Sequence, residues 1–151
     1  MIKATLFPIE RKTKMTVRIK KLDERAVMPT YGTEYSAGAD LYSIEAVSVE
    51  PHKTVLVHTG IALEIPEGYA GLIFARSGLA CKRGLAPANK VGVIDADYRG
   101  EIMVALHNHT EAPVSIEAGE RVAQLSIMPF LKADFELSNQ LSDTVRGAGG
   151  F

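Results

Sequence analysis

The stretch TVLVHTGIALEI, Thr54 to Ile65, decides the fold. It is an apolar, β-branched run bounded by turn residues at Pro51 and at Pro66 to Gly68, and no 3.6-residue apolar stripe runs through it, so it reads as a strand. The same reading holds outward in both directions. Upstream lie TVRIKKL (Thr16 to Leu22) and ADLYSIEAVSV (Ala39 to Val49), and downstream YAGLIFA (Tyr69 to Ala75), EIMVALHN (Glu101 to Asn108), APVSI (Ala112 to Ile116) and RVAQLSIMPF (Arg121 to Phe130). Only SGLACKRG, Ser77 to Gly84, suits a short helix. Strands punctuated by Gly, Pro, Asn and Asp predict an all-β domain, a sandwich or jelly-roll barrel. With no internal repeat and no linker, the expected organisation is a possible N-terminal extension over residues 1–15, one β domain over 16–145, and a flexible glycine-rich tail, RGAGGF, over 146–151.

Composition narrows the function. A chain of 151 residues with 46% hydrophobic and 23% charged content is long enough for one well-buried core. A net charge of −1 provides no field for wrapping nucleic acid or coating a membrane, so an anionic substrate has to meet local cations. Cys81 is the sole cysteine, which excludes an intrachain disulfide and a multi-cysteine zinc site. No apolar run reaches the length of a membrane span, and the start lacks the apolar stretch of a signal peptide. The expected location is cytoplasmic.

GVIDADYRGE, Gly92 to Glu101, is the segment richest in chemistry. Asp95 and Asp97 fall two apart, on one face if the backbone is strand-like, and Tyr98 adds a ring beside them. A carboxylate next to a ring suits a general base acting on a ring-bearing substrate, while Asp and Gly are equally ordinary in a solvated hairpin turn.

Five segments in order, AGADLYS (Ala37 to Ser43), ARSGLA (Ala75 to Ala80), GVIDADYRGE, GERVAQL (Gly119 to Leu125) and RGAGGF (Arg146 to Phe151), together resemble the motifs of the trimeric deoxyuridine triphosphatases. That resemblance implies a jelly-roll-like β-barrel subunit, a homotrimer with active sites shared between chains, and hydrolysis of dUTP to dUMP and pyrophosphate. Such a reaction removes dUTP and supplies dUMP for thymidylate synthesis. Residue by residue, it implies that Asp95 is the general base, orienting water for in-line attack on the α-phosphorus. Arg76, Ser77, Gly78 and Gln124 would bind the triphosphate, and Asn89 the uracil edge. Tyr98 would lie under the deoxyribose and exclude a 2′-hydroxyl. Mg²⁺ would ride on the phosphates, with Asp40 holding it through water. The tail would close as a lid, Arg146 reaching the γ-phosphate and Phe151 stacking on uracil. The family commonly continues past that Phe with a short polar segment, whereas this sequence ends at Phe151, a departure that bears on rate and affinity more than on reaction class.

Taken singly these residues have plainer readings. Asp40 alone is a strand-edge acid, Arg76 an ion-pair partner, Gln124 a solvent-facing strand residue, Asn89 a turn residue and Tyr98 a half-buried hairpin aromatic. Arg121 reads as structural, paired with a nearby acid. His107 and His109 lack a third ligand for a metal, and DADYRG matches the start of a calcium loop but places Leu106 where the twelfth-position Glu belongs. Two rival functions share the fold. A dCTP deaminase would carry a catalytic Glu where Ala105 stands, and a non-catalytic regulatory member would be expected to lose Asp95, Tyr98 or the tail aromatic, whereas a dual-role regulatory member would leave no mark in the sequence.

Overall fold

The computed structural model describes residues 14–150. Most of the expected N-terminal extension, and Phe151, therefore lie outside the described residues. Eleven strands and one helix follow in the order β1 (Arg18–Lys21), β2 (Thr30–Tyr31), β3 (Ala39–Tyr42), β4 (Val47–Val49), β5 (Thr54–Glu64), β6 (Tyr69–Phe74), α1 (Ser77–Arg83), β7 (Leu85–Pro87), β8 (Gly92–Ile94), β9 (Glu101–Asn108), β10 (Val114–Ile116) and β11 (Arg121–Pro129). One sheet has the order β1-β5-β9-β7 and the other β2-β3-β11-β6-β8, with β4 and β10 forming a separate two-stranded ribbon. All pairs are antiparallel. The result is the expected jelly-roll-like all-β subunit.

Strand β9 shows how sequence becomes packing. Its side chains alternate without a break, and Ile102, Val104, Leu106 and Asn108 are buried. Facing them across the core are Leu41 of β3, Ile73 of β6 and Ala123 and Leu125 of β11, while Val49 and Ile116 of the ribbon close one end. The buried Asn108 is satisfied. Its amide donates to the carbonyls of Val49 and Ala112 at 2.8 Å, and its Oδ1 accepts from the Thr110 backbone at 2.9 Å.

Two expected strands are interrupted. ADLYSIEAVSV bends between β3 and β4, where the Ser43 hydroxyl donates to the Glu45 carbonyl, a local side-chain turn that competes with the ladder. In β5 the pairing with β9 shifts between His58 and Ala62, giving a bulge in which Gly60 takes φ +68°. Glycine is required there twice over, since a Cβ would also come within 3.0 Å of the Cβ atoms of Ala26 and Asp23. The bulge takes backbone groups off the ladder, and side chains replace the lost bonds: Thr59 donates to the Ile102 carbonyl, and the Gly60 N–H donates to Glu101 Oε1 at 2.8 Å.

Helix α1 lies where SGLACKRG predicts it. Gly84 ends it in the left-handed conformation at φ 67°, and Lys82 and Arg83 in its last turn suit the negative end of the helix dipole. After β11, residues 131–150 have no regular strand or helix and are exposed. No helix among the described residues is long and apolar enough to cross a membrane.

Candidate active site

Antiparallel pairing lays three of the motif segments side by side. Gln124 of β11 is in register with Asp40 of β3 on one side and Phe74 of β6 on the other. Strand β6 runs on through Ala75 to Arg76, which occupies the N-cap position of α1 in extended conformation and makes no cap bond with its side chain. That leaves the guanidinium free to turn back over the sheet. Its Nε donates to Asp40 Oδ1 at 2.7 Å, with the two side chains 25% and 13% exposed. Arg121 donates more loosely to the other oxygen of Asp40 at 3.5 Å. Two cations on one carboxylate leave a net positive cluster, the local cations that an anionic substrate needs in a chain whose net charge is −1.

Gln124 is held in the same cluster. Its Nε2 donates to the Ala75 carbonyl at 2.8 Å, so it is not the solvent-facing strand residue of the plainer reading. Gly38 makes room for it, because a Cβ at that position would stand 2.5 Å from Gln124 Oε1. Ser77 and Gly78, in the first turn of α1, are exposed beside Arg76. Asp40, Arg76, Ser77, Gly78 and Gln124 are thus gathered on one end of the sheet.

A second tie fixes this end from behind. Arg83, in the last turn of α1, donates to Glu120 Oε1 and to the Ser115 carbonyl. Glu120 in turn accepts from the Glu117 N–H at 3.0 Å, and its carbonyl takes the Ser43 N–H at 2.9 Å. These bonds tie together the helix, the turn before β11 and the end of β3.

The central motif lies elsewhere. Strand β8 pairs with β6 from Gly92 against Ile73 to Ile94 against Gly71, so Asp95 follows at the Tyr69 end of β6 while Arg76 follows at its Phe74 end. The intervening six residues rise roughly 20 Å. Asn89, exposed, precedes β8 at the opposite end from Asp95, in a tight turn where Lys90 takes φ 65° and the Asn89 carbonyl accepts the Val91 N–H at 2.7 Å. Asp95 itself is exposed and opens a turn that is closed by the Tyr98 N–H to its carbonyl at 3.2 Å. The backbone from Asp95 to Asp97 is this turn and not a strand, so the alternation that would put the two acids on one strand face stops at Ile94. Tyr98 is 42% exposed and folds back over Gly100, whose missing Cβ leaves space for the ring; its hydroxyl donates to the Glu101 carbonyl at 3.1 Å. Beside this turn, Thr16, Arg18, Glu64, Glu67, Asp97 and Arg99 line an open cleft of about 560 Å³.

The tail residue Arg146 lies in a turn capped by Thr144, and its Nε donates to the Gly149 carbonyl at 2.7 Å. Phe151 is outside the described residues. Among the described residues no three His, Cys, Asp or Glu side chains converge on a common point. Both oxygens of Asp40 face arginines, so its donor chemistry fits a hydrated Mg²⁺ borne on phosphate oxygens and touched through water, and does not fit direct ligation.

Sequence reasoning missed Glu101. Its carboxylate accepts from the Gly60 N–H at the β5 bulge and meets His58 Nδ1 at 2.9 Å. That bond to Glu101 raises the His58 pKa above its usual value. No local pattern announces a contact between residues 43 positions apart, although Gly60 inside an otherwise apolar run is a signal for a bulge.

The dUTPase family model matches residues 24–151 of the chain. The deoxyuridine 5′-triphosphate nucleotidohydrolase of Nautilia profundicola is 48% identical over 137 residues, covering 91% of this chain and 96% of that protein. That of a Picosynechococcus strain is 45% identical with the same coverage. Among solved structures, the G164S mutant of the Staphylococcus bacteriophage 80alpha dUTPase with dUpNHpp superposes at a TM-score of 0.85 with 30% identity, over 91% of this chain and 97% of that one. The D95N mutant of the dUTPase from phage phi11 of S. aureus, for which coordination of a structural Mg(II) ion is described, superposes at 0.79 with 27% identity, over 85% of this chain and all of that one. A family match that takes in all but the first 23 residues, with relatives this similar along nearly their whole length, establishes that the chain belongs to the dUTPase family.

Proposed function

We propose that this chain hydrolyses dUTP to dUMP and pyrophosphate, with Asp95 as general base. The observation that carries the reading is the cluster of Asp40, Arg76 and Gln124, a cationic, hydrogen-bonding site of the kind a triphosphate requires, in a chain that also retains Asp95 and Tyr98 on an exposed turn. Arg76 offers its guanidinium fork to phosphate oxygens. Ser77, the Gly78 backbone and Gln124 add bonds without a further full charge. Asn89 provides both a donor and an acceptor to the uracil edge, so that cytosine would leave buried polar groups unpaired. Asp95 orients a water and takes its proton as the new P–O bond forms, and Tyr98 leaves no room for a 2′-hydroxyl. When bound with the nucleotide, Mg²⁺ neutralises charge on the phosphates as pyrophosphate leaves.

The same geometry supports assembly as a homotrimer. Asp95 and Arg76 sit at opposite ends of β6, so a nucleotide touching both classes of residue needs a second copy of the chain. The exposed arm after β11, residues 131–150, supports this. Leu131, Phe135, Leu137 and Leu141 are at least 82% exposed, an apolar series that nothing among the described residues covers. In a homotrimer those side chains are buried on neighbouring subunits, which carries Arg146 and the terminal Phe151 toward a neighbour's site as its lid. The domain bounds, a body over residues 16–145 and a lid over 146–151, belong to the same proposal, as does a cytoplasmic location. The test is pyrophosphate release from dUTP against dCTP, dTTP and UTP, with light scattering for the assembly. Turnover of dUTP alone by a trimer supports the reading, and ammonia release from dCTP would replace it with a deaminase.

A further inference from the structure

Tyr98 discriminates against ribose only if its ring stays where the sugar must pass, yet it projects from an exposed turn. What fixes it is traceable. Its hydroxyl donates to the Glu101 main-chain carbonyl at 3.1 Å, and its ring rests on Gly100. Glu101 is the first residue of β9, where a strand end is ordinarily free to fray. Here the side chain of the same residue prevents that. One carboxylate oxygen accepts the Gly60 N–H at 2.8 Å from the bulge of β5, the other meets His58 Nδ1 at 2.9 Å, and the side chain is only 22% exposed. Gly60 is itself immobilised: it has a left-handed backbone, is packed against Ala26, Asp23 and Ile44, and accepts the Leu22 N–H at 2.7 Å.

We infer that Glu101 is the positioning residue for Tyr98, so that the buried bulge at Gly60 sets the sugar specificity of the site through the Glu101 carboxylate and carbonyl. Glu101 touches no substrate in this arrangement. It anchors the β9 terminus, and the terminus anchors the ring. The inference rests on the proposed dUTPase reading and assigns that reading a determinant outside the motif residues that bind nucleotide.

The test is the ratio of kcat/KM for dUTP to that for UTP, measured on the full trimeric chain. Wild-type enzyme that fails to hydrolyse dUTP, or accepts UTP equally, breaks the parent reading. The variants then test the inference separately. Glu101→Ala is expected to lower the ratio at least tenfold, while Glu101→Gln, whose amide oxygen still accepts the Gly60 N–H, keeps it within threefold of wild type. Tyr98→Phe removes the hydroxyl tether and is expected to lower the ratio similarly, and the double variant Tyr98→Phe with Glu101→Ala to be no worse than either single one. A merely structural role for Glu101 predicts lower stability with an unchanged ratio. Should Glu101→Ala not fold, Glu101→Asp draws the carboxylate back from both contacts and is expected to lower the ratio too. A folded variant of either kind with wild-type discrimination overturns the inference.

Discussion

Arg76 and Asp40, 36 positions apart in the chain, are joined by a bond of 2.7 Å from the guanidinium Nε to the carboxylate Oδ1. The bond approaches Arg76 from its side, so the terminal nitrogens of the fork remain available to phosphate. In the proposed function Asp40 therefore aims Arg76, besides being the candidate water-mediated contact to Mg²⁺. Asp40→Asn is expected to weaken this hold, raising KM for dUTP about tenfold and costing about 1–2 kcal/mol of stability, since a charge-assisted bond at a mostly buried site becomes a neutral one. Steady-state kinetics and a denaturant titration check both. Unchanged KM would make the pair a purely structural contact.

Gly38→Ala places a methyl group 2.5 Å from Gln124 Oε1 and has to displace that side chain from its bond to Ala75. Displacements of this size near reacting groups cost roughly ten- to a hundredfold in kcat/KM. Assays against dUTP should show that loss with the fold intact by circular dichroism. Full activity would mean that Gln124 does not bind the triphosphate.

Much of this was legible in the chain. EIMVALHN was legible as a strand and is β9, with alternate residues buried, and Gly84 marked the end of α1. The nucleotide-site candidates were legible as motif letters. Their arrangement was not, because sheet register is set by pairing between distant segments, and it is register that places Gln124 between Asp40 and Phe74. Local turn chemistry at Ser43, the bulge at Gly60 and the turn after Ile94 each overrode a strand-like pattern, which moved Asp97 off the face that the two-residue spacing assigned it. Arg121 did prove to have an acid nearby, Asp40, though at 3.5 Å.

His58 provides a pH signature. Its bond to Glu101 raises its pKa in the folded protein, so folding is favoured by proton uptake. The stabilisation is complete below the unfolded value of about 6.5 and is lost as pH rises through the raised folded value. NMR should find the His58 midpoint above that of a free histidine. The melting temperature of Glu101→Gln should fall further below wild type near pH ~6 than near pH ~8.5. A gap that does not change with pH would contradict the pairing.

Removing residues 146–151 should leave the body and its assembly intact while reducing both kcat and affinity for uracil nucleotides. If Phe151 stacks as other base–aromatic pairs do, the affinity loss is about 1–3 kcal/mol. Ending the chain after Phe130 should also weaken the proposed trimer, because it deletes the exposed apolar series from Leu131 to Leu141. Light scattering and calorimetric titration with a non-hydrolysable dUTP analogue separate the two effects. Truncations without effect would show the arm to be passive.

The most direct test of the account is pyrophosphate release from dUTP by wild type and by Asp95→Asn, each verified as a folded trimer that binds nucleotide. Loss of at least ~10² in kcat with binding retained is the predicted result, as expected for removal of a general base. Normal turnover by the Asn variant would contradict it.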